Sequence, residues 1–367
     1  SITMGGADIG GGAYDRRATL AAPTPGIWQI TVKQDGSDDH VTTLQQALDR
    51  WHTYCIDPRQ RYHGIIRIMD NEVYTLPTAL ETAVGSTLHL EAADGARPVL
   101  RAAEDLQVVG HVGMRPQAPT NSAAPVDTDT DDPTVARVTL NGLVLDVREL
   151  LCSGPLHLTL RHCTLRGCLH SANGKYDYDT RVQIDQSLLG PLRLAPDLAS
   201  LTIRDSVIDG GGKAALAAPD SASKLSYGPS TILERVTVLG PVSVRELRTA
   251  SEVIFTAPVQ VQRLQTGLVR FSYVPKGSKT PPKYCCVSVS DADPGAPSPQ
   301  FTSRRYGDPG YAQLSPQCPP AISRGAESAL EMGAFQHLLQ PLREANLRVT
   351  LDEYMPLGLE PGLVYMT

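Results

Sequence analysis

Arg161, Asp185, Arg204 and Glu234 fall at one position of a repeated sequence unit, and acids and bases at fixed spacing are the raw material of general acid–base chemistry. The units are Val138–Asp146, Leu158–Arg166, Val182–Gly190, Leu201–Asp209 and Thr231–Leu239. Superposed, they align Asn141 with those four residues, and the next column holds Gly142, His162, Gln186, Asp205 and Arg235. Stacked at the ~4.8 Å spacing of paired strands, the charges form a ladder. A glycan-cleaving face would use Arg161 or Arg204 as base or electrophile, with Asp185, Asp205 or Glu234 as acid or metal ligand. A cross-strand ion-pair column would instead fix the register of an outer surface. The alternating sign favours the second, because a calcium site concentrates carboxylates. On that reading no catalytic residue is assigned and no cofactor is expected; calcium enters with the enzymatic alternative and with the acidic Asp127–Asp132 stretch.

Other residues invite chemistry and have plainer explanations. Cys163, Cys168, His162 and His170 could together hold zinc. Cys163, however, shares a column with Ser187, Ser206 and Val236, which reads as a small inward-facing packing position. Cys285 and Cys286 are adjacent, and neighbours on a strand point to opposite faces, so they do not form a two-ligand site. Asp209-Gly210-Gly211-Gly212-Lys213 lacks the full spacing of a phosphate-cradling loop and reads as a coil corner that needs positive φ. Asp127, Asp129, Asp131 and Asp132 lack the Gly and Glu of a calcium loop and read as a solvated segment.

The elements that must position these residues follow from the repeat. Unit starts lie roughly 20 to 30 residues apart, the period of one solenoid coil. Positions one, three, six and eight of each unit are mostly aliphatic or small, which describes two short strands joined by a polar corner. A helical repeat would show 3.6-residue periodicity instead. Further coils are expected at Ser251–Phe255, Val259–Val261 and Leu268–Phe271, and a first strand over residues 26–32. Leu44, Ala47, Leu48 and Trp51 fall at i, i+3, i+4 and i+7, giving an apolar helical face with Thr42 or Thr43 as N-cap.

Composition agrees. At 367 residues one compact core is near its upper size limit, but each coil of a solenoid adds its own slice of core. A net charge of −6 gives no support for nucleic-acid binding. Seven scattered cysteines read as mostly reduced thiols. No apolar run approaches the ~20 residues of a membrane span. The Gly-rich start shows no secretory leader, so synthesis in the cytoplasm is expected and the final location is left open.

Two stretches then bring a family into view. Thr42–Ala47, Gly64–Asp70 and Val73-Tyr74 resemble the opening of pectin-lyase-like β-helix proteins: a capping helix, an Ile-rich strand and a Tyr-bearing turn. Pro299–Phe301, Gly307–Tyr311, Leu314–Pro316, Pro320–Ile322 and Gly325-Ala326, ending in Glu331-Met332-Gly333-Ala334-Phe335, resemble the closing coils of bacterial right-handed parallel β-helix proteins. The resemblance covers roughly residues 26–335 and implies the fold, not a function, because the superfold hosts lyases, polygalacturonases, tailspikes and adhesins. The paired aspartates and Arg-x-Lys expected of a polygalacturonase are not assembled around His63-Gly64.

The expectation is an all-β, single-stranded, right-handed parallel β-helix with an N-terminal capping helix and a C-terminal helical cap. Residues 1–25 form a Gly/Ala/Pro-rich arm, and residues 26–273 the β-helix, with a loop insertion at 112–135. Residues 274–335 form an irregular closing segment with the last rungs, and 336–367 a helical cap or docking segment. In that cap Leu338, Leu339, Leu342, Leu347, Leu351 and Tyr354 make an apolar stripe. The function expected is a non-catalytic structural or surface-binding module of a larger assembly, of tail-fibre or spike type. Its partner would be another protein of the assembly or a cell-surface glycan, with neither nucleic acid nor a membrane span. The alternatives are a polysaccharide lyase or glycosidase acting on acidic glycans, and a carbohydrate-binding module without chemistry.

Overall fold

The computed structural model describes residues 20–21, 27–35, 41–55, 60–102, 105–111, 135–171, 179–219, 227–289, 296–308 and 310–338. In the C-terminal segment it describes 346–347, 349–351, 353–356 and 358. Most of the expected arm (1–25) and of the acidic insertion (112–135) lies outside the described residues.

The chain is a parallel β-helix. Its strands form three sheets, and each strand pairs in parallel with its equivalent in the next coil. The first sheet runs from Trp28–Val32 through His63–Ile68, Thr87–Ala92, Ala136–Asn141, Leu156–Arg161 and Arg181–Asp185 to Lys283–Tyr284. The second includes Val73–Thr75, Val99–Arg101, Val144–Asp146 and Thr164–Leu165, and ends at Val287–Ser288. The third includes Ala79–Ala83, Leu106–His111, Glu149–Ser153 and Cys168–Ser171. Ser200–Asp209 runs unbroken around a corner and serves both the first and second sheets.

The observed register is the one the repeated units give: Val138, Leu158, Val182, Leu201 and Thr231 stand in one column. Their inward positions are buried, and the aliphatic columns merge into one continuous core. Each added coil thus buries a further layer of Val, Leu and Ile, at roughly 1.5–3 kcal/mol per side chain.

The corner between first and second sheets is built the same way in eight successive coils. Gly142, His162, Gln186, Asp205, Arg235, Glu252, Phe271 and Cys285 all have positive φ, between 46° and 75°. Seven of these are not glycine, and left-handed backbone costs such residues about 1–2 kcal/mol. Two devices offset the strain. The corner N–H donates to a carbonyl of the next coil, as from Gln186 to Arg204 O at 3.0 Å. Just after the corner, a buried side chain closes the turn. Ser206 Oγ accepts from Ser187 N at 3.0 Å and donates to Arg204 O at 2.5 Å, and Ser187 and Ser272 repeat both contacts. Cys163 and Cys286 occupy the same position, their thiols 3.2 and 3.3 Å from the equivalent carbonyls.

The two ends of the stack are treated differently. At the front, helix α1 (Leu44–Tyr54) is capped by Thr43, whose side chain accepts from Gln46 N, and it buries Leu44, Ala47, Leu48 and Trp51 over the first coil. Gly64 is required there: a Cβ would lie 2.2 Å from the Trp51 ring. At the far end, Lys283 takes the core-column place that Leu233, Ala250 and Val269 hold before it. Pro281 and Pro282 precede it, so the last strand presents two residues without N–H and a charge, devices that discourage further strand pairing.

The closing segment does not continue the coils. The described residues 296–308 and 310–338 lie as a strap along the outside of the second sheet. Tyr311, Ala312 and Ala334 pack on Val207 and Leu239, while Cys318, Ile322 and Met332 pack on Ile254 and Tyr273. In this segment the last strand that pairs within the coils is Val287–Ser288. Gly333 explains the Glu-Met-Gly-Ala-Phe motif: its φ is +95°, and a Cβ would meet Thr237 Oγ1 at 2.6 Å and Ile254 Cδ1 at 2.9 Å. That close approach lets Gly333 N reach Glu252 O (2.8 Å) and Ala334 N reach Thr237 Oγ1 (3.1 Å). Beyond the strap, the described residues from 346 to 354 are helical. Tyr354, expected on the apolar stripe, is 81% exposed.

Candidate functional site in the charged columns

The first-sheet column extends the ladder at both ends. In register it reads Arg67, Glu91, Asn141, Arg161, Asp185, Arg204, Glu234, Ser251, Arg270 and Tyr284. Its charges close on one another. Arg161 Nε lies 3.5 Å from Asp185 Oδ2 and Arg204 Nε 2.9 Å from Glu234 Oε2. Asp185 also accepts from Gln183 Nε2 at 2.8 Å. In the corner column, Arg235 grips Asp205 through two nitrogens, at 2.5 and 3.0 Å. Hydrogen bonding to Asp205 raises the Arg235 guanidinium further above its ordinary value, against the opposing effect of burial. Each candidate acid from the sequence thus has an arginine beside it. This is geometry for holding register; a general acid or base needs a group free to exchange its proton with substrate.

The sequence reading missed the most buried ion pair of the column, Arg67 with Glu91. Glu91 is 1% exposed and accepts from Arg67 Nε (2.9 Å) and Nη2 (2.6 Å). The same pair holds the main chain of Ala21, whose N–H donates to Glu91 Oε2 while its carbonyl accepts from Arg67 Nη2. Beside them on the outward side stands His89, largely buried. Burial lowers its pKa most; Glu91 acts in the opposite sense, while Arg161 and His63 lower it further. At neutral pH the ring is a neutral imidazole. Ile65, on the same outward column as His89, is also buried. The signal that could have found this cluster is the alternation of Arg67 and Glu91 one coil apart, hidden because these coils precede the acidic insertion and lack the repeated corner.

The remaining candidates are not brought together. Cys163 is enclosed in its corner, His162 forms the corner before it, and His170 stands on the third sheet opposite Arg193. Burial pushes the Cys168 thiol up to about 11 and Cys55 up to about 12, and it also raises Cys286 and Cys318. All seven cysteines are free thiols. Among the described residues no group of three or more His, Cys, Asp or Glu is placed to hold a metal ion. Asp127, Asp129, Asp131 and Asp132 lie outside the described residues. The Asp209–Lys213 stretch is a corner, with Gly211 and Gly212 at φ 58° and 82°. Asp209 ties it down: Oδ1 accepts from Gly211 N at 2.8 Å, and Oδ2 accepts from Tyr311 OH of the strap. Burial and the bond to Asp209 both push the Tyr311 phenol upward.

Among the described residues, no helix is long and apolar enough to cross a membrane. No protein-family model matches the chain, and a search of curated proteins finds no match, so its function rests on the geometry of the columns alone.

Proposed function

We propose that the protein is a non-catalytic scaffold: a rigid β-helix of the pectin-lyase-like kind, serving as a structural module of a larger assembly. The observation that carries this reading is the pairing of Arg161 with Asp185, Arg204 with Glu234 and Arg235 with Asp205. Acid and base that neutralise each other across coils hold the stack in register, and none of these six groups is left as a free proton carrier. Assay against polymers of uronic acids tests it directly. The expected result is no cleavage product from the native protein. Product that disappears in an Arg204→Ala variant would replace the scaffold with a lyase.

A second reading, binding or cleavage of a glycan, draws on one observation, the outward cluster of Arg67, His89, Glu91 and Arg161. A neutral imidazole beside a buried carboxylate is a combination that active sites use. In that reading Arg67→Ala and His89→Ala would abolish glycan binding by the native protein while sparing its corner columns.

A further inference from the structure

Among the described residues, six of the nine exposed large apolar side chains lie near the two ends of the stack. Tyr54, Met69 and Val73 are at the front, and Leu264, Leu268 and Tyr284 at the far end. The others are Tyr306 on the strap and Val349 and Tyr354 in the C-terminal segment; between residues 74 and 263 there is none among the described residues. Val73 is 49% exposed and Tyr284 58%, on strands that each pair on one side only.

Charge divides along the same axis. Residues 26–111 carry twelve Asp and Glu against seven Arg and Lys, a net of −5. Residues 241–289 carry two against seven, a net of +5, and still +3 when Asp291 and Asp293 are added. The signs are local to the apolar residues. Asp70 and Glu72 lie between Met69 and Val73, whereas Arg263 adjoins Leu264 and Lys283 adjoins Tyr284. The register places Tyr284 at the same corner of the solenoid as the front patch, in the column that begins at Thr31 and Arg67, two residues before Met69, while Leu268 opens the neighbouring first-sheet strand and Leu264 precedes it.

From this we infer that the far end of one chain docks on the front end of a second copy, head to tail. The contact joins the Leu264, Leu268 and Tyr284 patch with its Arg and Lys to the Met69 and Val73 patch with its Asp and Glu. It deepens the scaffold reading by naming the partner. Pro281, Pro282 and Lys283 discourage continuous strand pairing in the first sheet, so the contact is assigned to side chains. Such an interface is heterologous: each copy keeps one unused end, and the product is an open file.

Sedimentation of the native protein and two variants tests it. One variant blocks the front end (Glu72→Lys with Val73→Ser) and the other the far end (Lys283→Glu with Tyr284→Ser). All four positions are exposed, and an unchanged melting temperature verifies folding. The native chain should grow in mass with concentration at about 10 mM salt and fall back to single chains near 1 M, where screening acts within ~3 Å. Each variant alone should sediment as a single chain, and an equal mixture as dimers and nothing larger, since only one compatible pair of ends remains. A native protein that stays a single chain at low salt overturns the inference, as does a blocked variant that still associates. Either outcome leaves the uronate assay, and hence the scaffold reading, standing on its own.

Discussion

Ser206 shows how a single atom serves two coils. Its hydroxyl accepts from Ser187 N and donates to the carbonyl of Arg204, supporting the left-handed Asp205 between them. Ser206→Ala removes both contacts inside the protein and is expected to cost about 1–3 kcal/mol in urea unfolding. Ser206→Cys should cost less, since Cys163 occupies the equivalent place in the same column two coils earlier. The sequence made the small, buried character of this position readable, because Ser, Cys and Val alternate in it. It did not make the hydrogen bond readable, since a serine in a packing column looks the same whether or not its hydroxyl has partners. Glu331 is a second case. It is nine-tenths buried, and its Oε1 has no hydrogen-bond partner. Burial pushes its carboxyl up to about 7, from 4.5 in an exposed chain, and the Cys318 thiol is its resolved electrostatic neighbour. Below pH 4.5 the carboxyl is protonated in both states and carries no penalty. Above that the folded state is progressively destabilised until about pH 7, by roughly 3 kcal/mol in all. The difference in stability between Glu331→Gln and the native protein should therefore be small at pH 4 and grow in favour of the variant up to pH 7.

At the scale of elements, the coils and the strap were not equally legible. Residues 138–240 state their register in sequence because the same four inward positions recur in every unit. The strap has no such period. It is held by separate contacts, Tyr311 to Asp209, Gly333 to Glu252, Ala334 to Thr237 and Arg270 to Glu327, each with a partner distant in sequence. Its motif was visible as a resemblance, but its path along the second sheet was not. Gly333→Ala tests that path. The positive φ and the approach to Thr237 and Ile254 should make the substitution cost about 1–3 kcal/mol. Hydrogen exchange at the Ala334 amide should accelerate while the amides of the first sheet stay protected. Uniform loss of protection would mean that strap and coils unfold as one unit.

Across the whole molecule, the columns act as a register device for a stack that could otherwise slip. The buried Arg67–Glu91 pair fixes the first coils, and removing one partner should cost about 3–5 kcal/mol because the other charge is left buried. The half-exposed Arg204–Glu234 pair is worth far less, ~0.2–1 kcal/mol. Sequence alone placed the later pairs, since alternating charge at a fixed repeat position needs no further information. The opposed charges of the two ends, by contrast, become meaningful only once the coils are stacked along an axis. The most direct measurement is a double-mutant cycle on Asp205 and Arg235, the acid and base that an enzymatic reading would separate and a scaffold must couple. The expected result is that Asp205→Ala and Arg235→Ala each destabilise the fold and that the double variant loses less than their sum, a coupling of about 0.5–1 kcal/mol. Strictly additive losses would mean the two charges do not hold each other in solution, and would contradict the register role assigned to the columns.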